Sequence, residues 1–204
     1  VLLHTCHSLR MLALQERQWK YNPPHAISRF LQRARGHLYL YFERRAVRRC
    51  RGRVMTVSQF LKEYVTQQHG LAEQEIHVCE NGVDHTTFNP GTRNTHRERI
   101  RDELSIRDDA FVALFLGGRW FDKGLPFLIE ALSHLENDDV YLAVVGEGDV
   151  SFFRDFAERR GLSSRVFFVP PTDHPEMYYG MADCFCFPTA AEAFGLVSLE
   201  AAAC

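Results

Sequence analysis

The sequence predicts an α/β protein built from two Rossmann-like, doubly wound domains, both incomplete. Three observations carry this. Short apolar runs rich in Val, Leu, Ile and Phe alternate with longer helical stretches, the order that builds parallel sheets covered by helices. The alternation pauses at the polar segment Asn89-Pro90-Gly91-Thr92-Arg93-Asn94 and then restarts. Glycine-rich turns close the first two strands of the second half, at the carboxyl edge where such sheets bind ligands.

In chain order, Val1-Leu2-Leu3-His4-Thr5 reads as a strand that turns at Cys6-His7-Ser8. Leu9 to Leu38 contains Asn22-Pro23-Pro24 and little period, so it reads as irregular with helical pieces. Tyr39 to Arg49 reads as a helix with a cationic face. Arg53 to Val57 is a short strand, and Ser58 is a suitable N-cap for the helix after it. Phe60, Leu61, Tyr64 and Val65 share one face of that helix. Glu75 to Cys79 is the next strand, closed by the turn Asn81-Gly82, with Gly82 a hinge candidate. The linker at Asn89–Asn94 sets the expected domains at residues 1–90 and 91–204.

The second half repeats the rhythm. A helix from His96 to Leu104 precedes the strand Phe111–Leu116, the helix Leu125–Leu135 and the strand Val140–Val145. The helix Val150–Arg160, the strand Val166–Val169 and the helix His174–Met181 follow. The strand Cys184–Phe187 ends at Pro188, and an unbroken Leu- and Ala-rich run from Phe194 reads as the last helix. Cys184 and Cys186 alternate along their strand and are expected on opposite sides.

Composition narrows the function classes. The 204 residues are 46% hydrophobic with a net charge of −2, enough apolar material for a sizeable core. No apolar run approaches a membrane span, and no secretory leader is expected. The first residue is Val1 and the last, Cys204, falls inside a predicted helix, so an internal fragment of a longer protein is expected. Six cysteines at irregular spacing form no metal pattern, and reduced thiols in a cytoplasmic protein are the expectation. Charge is uneven. Residues 1–53 carry twelve Lys and Arg against two acids, whereas residues 94–204 carry ten against nineteen, which suggests two units with different partners.

Four stretches carry chemistry. Gly117-Gly118-Arg119-Trp120-Phe121-Asp122-Lys123-Gly124 lies between a strand and a helix, so its glycines let the backbone approach a ligand while Arg119 and Lys123 bring two cations. Gly146-Glu147-Gly148 closes the next strand. Ser151 stands where a third glycine would complete G-x-G-x-x-G, which counts against a nicotinamide or flavin site. Glu192 precedes the last helix and Glu200 lies inside it, roughly 12 Å apart or less at the helical rise. Between them a helix N-terminus offers free N–H groups and a dipole that attract phosphate. A carboxylate on either side of a phosphate cradle suits a sugar nucleotide. The run Arg44, Arg45, Arg48, Arg49, Arg51 and Arg53 reads as a solvated face or as a contact for a polyanion such as a membrane surface. No recognition module accompanies it, so nucleic acid is not an expected partner.

Taken together, Gly118-Arg119…Lys123-Gly124, Gly146-x-Gly148, Glu192-x7-Glu200 with Phe194-Gly195, and Asn81-Gly82-Val83-Asp84 resemble, in order, the motifs of retaining GT-B glycosyltransferases of family 4. The resemblance covers residues 54–204 well and 1–53 loosely. The loop between Arg119 and Lys123 is one residue shorter than is common in that family. The resemblance implies transfer of a sugar from a nucleoside diphosphate to a hydroxyl, with retention. It assigns the donor to Gly118, Arg119, Lys123, Gly146, Gly148, the backbone at Phe194, Gly195 and Leu196, and Glu200 at the ribose. It assigns Glu192 to the sugar hydroxyls and His7 to the sugar from the opposite domain, with His4 as a competing choice. No Asp-x-Asp occurs in the chain, so no metal or other cofactor is expected. The basic residues of the first half, together with similarity to lipopolysaccharide-core enzymes around Val83–Leu104, favour a membrane-linked glycan acceptor. The arginine run would make peripheral contact with the inner face of an anionic membrane through Arg44, Arg45, Arg48 and Arg49. The rival readings are a non-catalytic sugar-nucleotide-binding fragment and, more distantly, a Rossmann oxidoreductase.

Overall fold

A computed structural model describes residues 2–3, 21, 26–50 and 53–204. Contacts divide the chain into two compact units, Val1–Gly82 with Ala190–Gly195, and Val83–Thr189 with Leu196–Cys204.

The first unit holds a parallel sheet in the order β1 (Leu2–Leu3), β2 (Val54–Thr56), β3 (Ile76–Val78). Helix α1 (Ala26–Arg49) precedes β2, and α2 (Gln59–His69) joins β2 to β3. Ser58 caps α2, its hydroxyl accepting from the Leu61 N–H at 3.2 Å. Gly70 ends it with φ 64°, a left-handed C-cap. Val47, Val54, Val57, Leu61, Val65, Leu71 and Ile76 form the core. On the opposite side of α1, Phe30, Leu31, Leu38, Tyr41 and Phe42 are exposed. The helix corrects the reading of residues 26–38 as irregular; residues 9–20 and 22–25 of that stretch lie outside the described residues. From Ala26 the chain has no proline, and Gly36 alone costs only about 1 kcal/mol in a helix. With two apolar faces in place of one, the helix showed no simple period.

The second unit is a four-stranded parallel sheet in the order β6-β5-β4-β7: β4 (Phe111–Leu116), β5 (Val140–Val145), β6 (Val166–Val169) and β7 (Cys184–Phe185). Helix α3 (Gly91–Glu103) leads in; α4 (Leu125–Leu132), α5 (Val150–Glu158) and α6 (Pro175–Met181) connect the strands, and α7 (Leu196–Ala203) follows β7. Val112, Leu114, Ala143 and Val145 face a core shared with Ile100, Ile106, Tyr179 and Met181. Leu142 and Val144 are also fully buried, as expected of a central parallel strand covered on both faces.

Two further expectations are corrected. The expected linker Asn89–Asn94 is largely the first turn of α3. The Asn89 Oδ1 accepts from the Gly91 N–H at 3.0 Å, and the Asn89 carbonyl accepts from the Thr92 N–H at 3.0 Å. Pro90 fits there because the first helical N–H groups need no intrahelical partner. Cys184 and Cys186 do not face opposite sides: their Sγ atoms lie 3.8 Å apart. Residues two apart share a face of a strand.

Candidate functional site

In the second unit β4 connects through α4 to β5 on one side, while the chain later crosses to β7 on the other. The boundary between β4 and β7 is therefore the topological switch point, where open parallel sheets bind ligands outside the strand carboxyl ends. The Gly117–Gly124 loop leaves β4 at this point, and Phe187-Pro188 leaves β7.

Backbone is pressed on backbone here. Gly124 has φ 86°, and a side chain on it would run into the Pro188 carbonyl. Gly146 has φ 131°, and a side chain there would strike the Gly117 carbonyl. The two loops are also tied by Trp120. Its Nε1–H donates to the Gly117 carbonyl at 2.9 Å, and its indole lies against Gly148. The ring is buried and packs on Phe153 and Phe168 at centroid distances of 5.5 and 5.6 Å.

Arg119 is one of two described non-glycine residues with positive φ, at 51°. For an L residue this costs about 1–2 kcal/mol, and such outliers gather at functional sites. Its side chain is 53% exposed, and its Nε lies 3.4 Å from the buried Asp122 carboxylate. Lys123 sets its Nζ over the Phe187 ring, 5.3 Å from the centroid. Both cations thus stand on the switch-point loop, one steadied by a carboxylate and one by a ring face.

The structure gathers Gly118, Arg119, Lys123, Gly146 and Gly148 at the carboxyl edge of this sheet. Leu196 opens α7, so the helix begins two residues after the expected Phe194. Glu200 lies inside α7, half-buried, and its Oε2 accepts from the Tyr179 hydroxyl at 2.9 Å. Burial pushes its carboxyl up, against the hydrogen bond from Tyr179. Glu192, Phe194 and Gly195 fold with the first unit. Ala193 joins that unit's core, Phe194 packs on it, and the Ser58 hydroxyl donates to the Ala193 carbonyl. His7 and His4 lie outside the described residues. Among the described residues no group of three or more His, Cys, Asp or Glu is placed to hold a metal, and no helix is long and apolar enough to cross a membrane.

Sequence reasoning missed Trp120, Asp122 and Phe187 as parts of this site. It also missed Asp183, which sits just before β7. One carboxylate oxygen accepts from Arg101 at 2.7 Å and from the Val112 N–H at 2.9 Å. The other meets Arg93 at 3.1 Å and Arg97 at 2.9 Å. The three arginines recur every four residues on α3, a spacing visible in the sequence. Asp149 caps α5, accepting from the Phe152 N–H at 3.0 Å.

Comparison with known proteins shows the family and the fold. Residues 96–204 match the family model described as glycosyl transferases group 1, and residues 1–87 match that of glycosyltransferase family 4. The chain is 35% identical over 150 residues to D-inositol 3-phosphate glycosyltransferase 1 of Catenulispora acidiphila, covering 67% of this chain and 35% of that protein. It is 30% identical over 154 residues to an uncharacterized glycosyltransferase of Methanocaldococcus jannaschii, covering 74% of this chain and 40% of that one. The chain therefore spans well under half the length of these curated relatives. The crystal structure of Anabaena HepE in complex with UDP-glucose superimposes with a TM-score of 0.70 at 23% identity, covering 82% of this chain and 46% of that one. That likeness shows the shared α/β fold with parallel sheets.

Proposed function

We propose, for a chain that belongs to the glycosyl transferases group 1 family, that the whole protein moves a sugar from a nucleoside diphosphate sugar to a hydroxyl acceptor, with retention at the anomeric carbon. The observation that carries this is the strained, glycine-flanked Arg119 with Lys123 at the switch point of the second sheet. The complex of HepE with UDP-glucose supports the donor class.

In the reaction the bond from the anomeric carbon to the diphosphate oxygen breaks. A bond from the acceptor oxygen to that carbon forms, and the hydroxyl gives up its proton. Negative charge grows on the leaving diphosphate. Fixed cations and N–H groups aimed at it lower the barrier because they need no reorganisation. Arg119, Lys123 and the free N–H groups at the start of α7 serve this purpose, so no metal ion takes part. Glu192 holds sugar hydroxyls, Glu200 the ribose, and His7 orients the sugar.

The acceptor is membrane-linked in this reading. Arg44, Arg45, Arg48 and Arg49 are all exposed on α1, and Leu38, Tyr41 and Phe42 are exposed beside them. Cationic and apolar residues side by side suit an anionic membrane surface. The deciding experiment is turnover of the intact protein with sugar nucleotides, with the product's anomeric configuration read by NMR. Inversion at the anomeric carbon, or loss of turnover in EDTA with recovery on adding manganese, would overturn the mechanism.

A further inference from the structure

Cys184 and Cys186 take no part in the reaction above, yet their Sγ atoms are 3.8 Å apart, with Cys184 exposed and Cys186 half-buried. We propose that this pair is a reversible thiol–disulfide exchange site at the carboxyl end of β7, with low-molecular-weight disulfides as its reaction partner.

The chemistry is balanced as follows. The exposed Cys184 thiolate attacks one sulfur of a disulfide such as oxidised glutathione. A Cys184–glutathione bond forms, the reagent's S–S bond breaks, and one glutathione leaves and takes up a proton. The Cys186 thiolate then attacks the Cys184 sulfur, forming the Cys184–Cys186 bond and releasing the second glutathione. Two protein thiols are oxidised and the reagent is reduced to two thiols.

Geometry makes the closed form labile. Two residues of extended strand rise about 6.6 Å, close to the upper limit of about 6.8 Å for Cα atoms joined by a disulfide. Closure toward the usual separation of about 5.5–6 Å bends the strand, and a strained disulfide is readily reduced. Burial, and then the neighbouring Cys184, push the Cys186 thiol up to about 11. The second attack is slowed accordingly, so the mixed disulfide passes through a detectable stage. The bend reaches the candidate site. The Cys186 N–H donates to the Leu114 carbonyl at 2.8 Å, and Phe187, next in sequence, carries Lys123 over its ring.

The test is to incubate the full-length protein with oxidised glutathione and map thiols by mass spectrometry, following amide hydrogen exchange in parallel. Expected is a glutathione adduct on Cys184 that decays into a Cys184–Cys186 disulfide, reversed by dithiothreitol. The Cys186→Ser variant should stop at the adduct. Peptides spanning residues 184–189 should exchange at least threefold faster in the closed form. An unreactive Cys184, an adduct that persists in the wild type, or unchanged exchange after closure would each overturn the proposal.

Discussion

Replacing Asp183 by Asn tests how the second unit holds its switch point together. The substitution keeps the side chain's shape and removes its charge. Asn has one acceptor oxygen, so it can serve Arg101 and the Val112 N–H or Arg93 and Arg97, but not both pairs. The first arrangement costs less, because Arg101 is fully buried while the Arg93 and Arg97 side chains are 48% and 23% exposed. Exposed pairs are worth about 0–1 kcal/mol each. Breaking a buried pair costs about 3–5 kcal/mol, because the remaining charge is stranded. Arg101 keeps carbonyl acceptors at Met181, Asp108 and Ala110, at 3.0, 2.9 and 2.9 Å, which places the loss near the lower end. We expect Asp183→Asn to cost about 3 kcal/mol, with Arg93→Ala below about 1 kcal/mol as the control. Urea denaturation followed by circular dichroism reads this as a lower midpoint at unchanged slope, about 1.5 M for a slope near 2 kcal/mol per M. Burial alone would raise the Asp183 carboxyl, but the Val112 N–H and the three arginines outweigh it and hold it down to about 2. A depressed carboxylate stabilises the fold above its ordinary value and loses that contribution as pH falls. Wild-type stability should therefore drop between about pH 4 and pH 2, and the variant's curve should be flatter there. A loss under about 1 kcal/mol, or one equal to that of Arg93→Ala, would refute the reasoning.

The two glutamates should separate in a crossed assay. Glu192→Gln is expected to spare binding of the bare nucleoside diphosphate while lowering turnover, whereas Glu200→Ala weakens the bare nucleotide by about 1–3 kcal/mol. Equal weakening by both variants, measured by calorimetry, would show that the donor lies the other way round. Reversing Arg48 and Arg49 to Glu should reduce sedimentation with anionic vesicles, by about 1 kcal/mol per basic residue, with the effect shrinking as salt rises. If wild type and variant sediment equally at low salt, the arginine face is merely solvated.

Much of the second unit was legible because its strands are continuous apolar runs and its turns carry glycine. Phe111–Leu116, Val140–Val145 and Val166–Val169 match the structure at both ends. The longest helix, Ala26–Arg49, was visible only in its last eleven residues, since apolar side chains on two faces erase the period. Asn89–Asn94 looked like a linker because Pro and Gly punctuate loops, yet proline is also at home in a helix's first turn. The glycine loops and their cations could be found from motif order. The groups that fix them could not. Trp120 and Phe187 act through contacts to Gly148 and Lys123 made only when β4, β5 and β7 lie side by side. The Asp122 pair with Arg119 depends on the loop's backbone, with Arg119 at positive φ. Asp183 is an extreme case. The ladder Arg93, Arg97, Arg101 was present in the sequence, but its common partner lies more than eighty residues away.

The central claim is that a nucleoside diphosphate binds at the Arg119 loop, and Arg119→Gly in the intact protein tests it most directly. Glycine relieves the positive φ, a gain of about 1–2 kcal/mol. It also takes the half-exposed Arg119 away from the buried Asp122 carboxylate, a loss of about 1–2 kcal/mol, toward the low end for a buried polar group that loses a partner. Stability should therefore stay within about 1 kcal/mol of wild type. Losing a charged hydrogen bond of about 1.5–3 kcal/mol should weaken the diphosphate roughly tenfold or more. The measurement is calorimetric titration of wild type and variant with UDP, GDP and ADP. The account predicts that at least one binds the wild type and binds the equally stable variant at least tenfold more weakly. If none of the three binds the wild type, or the variant binds as tightly, the account is contradicted.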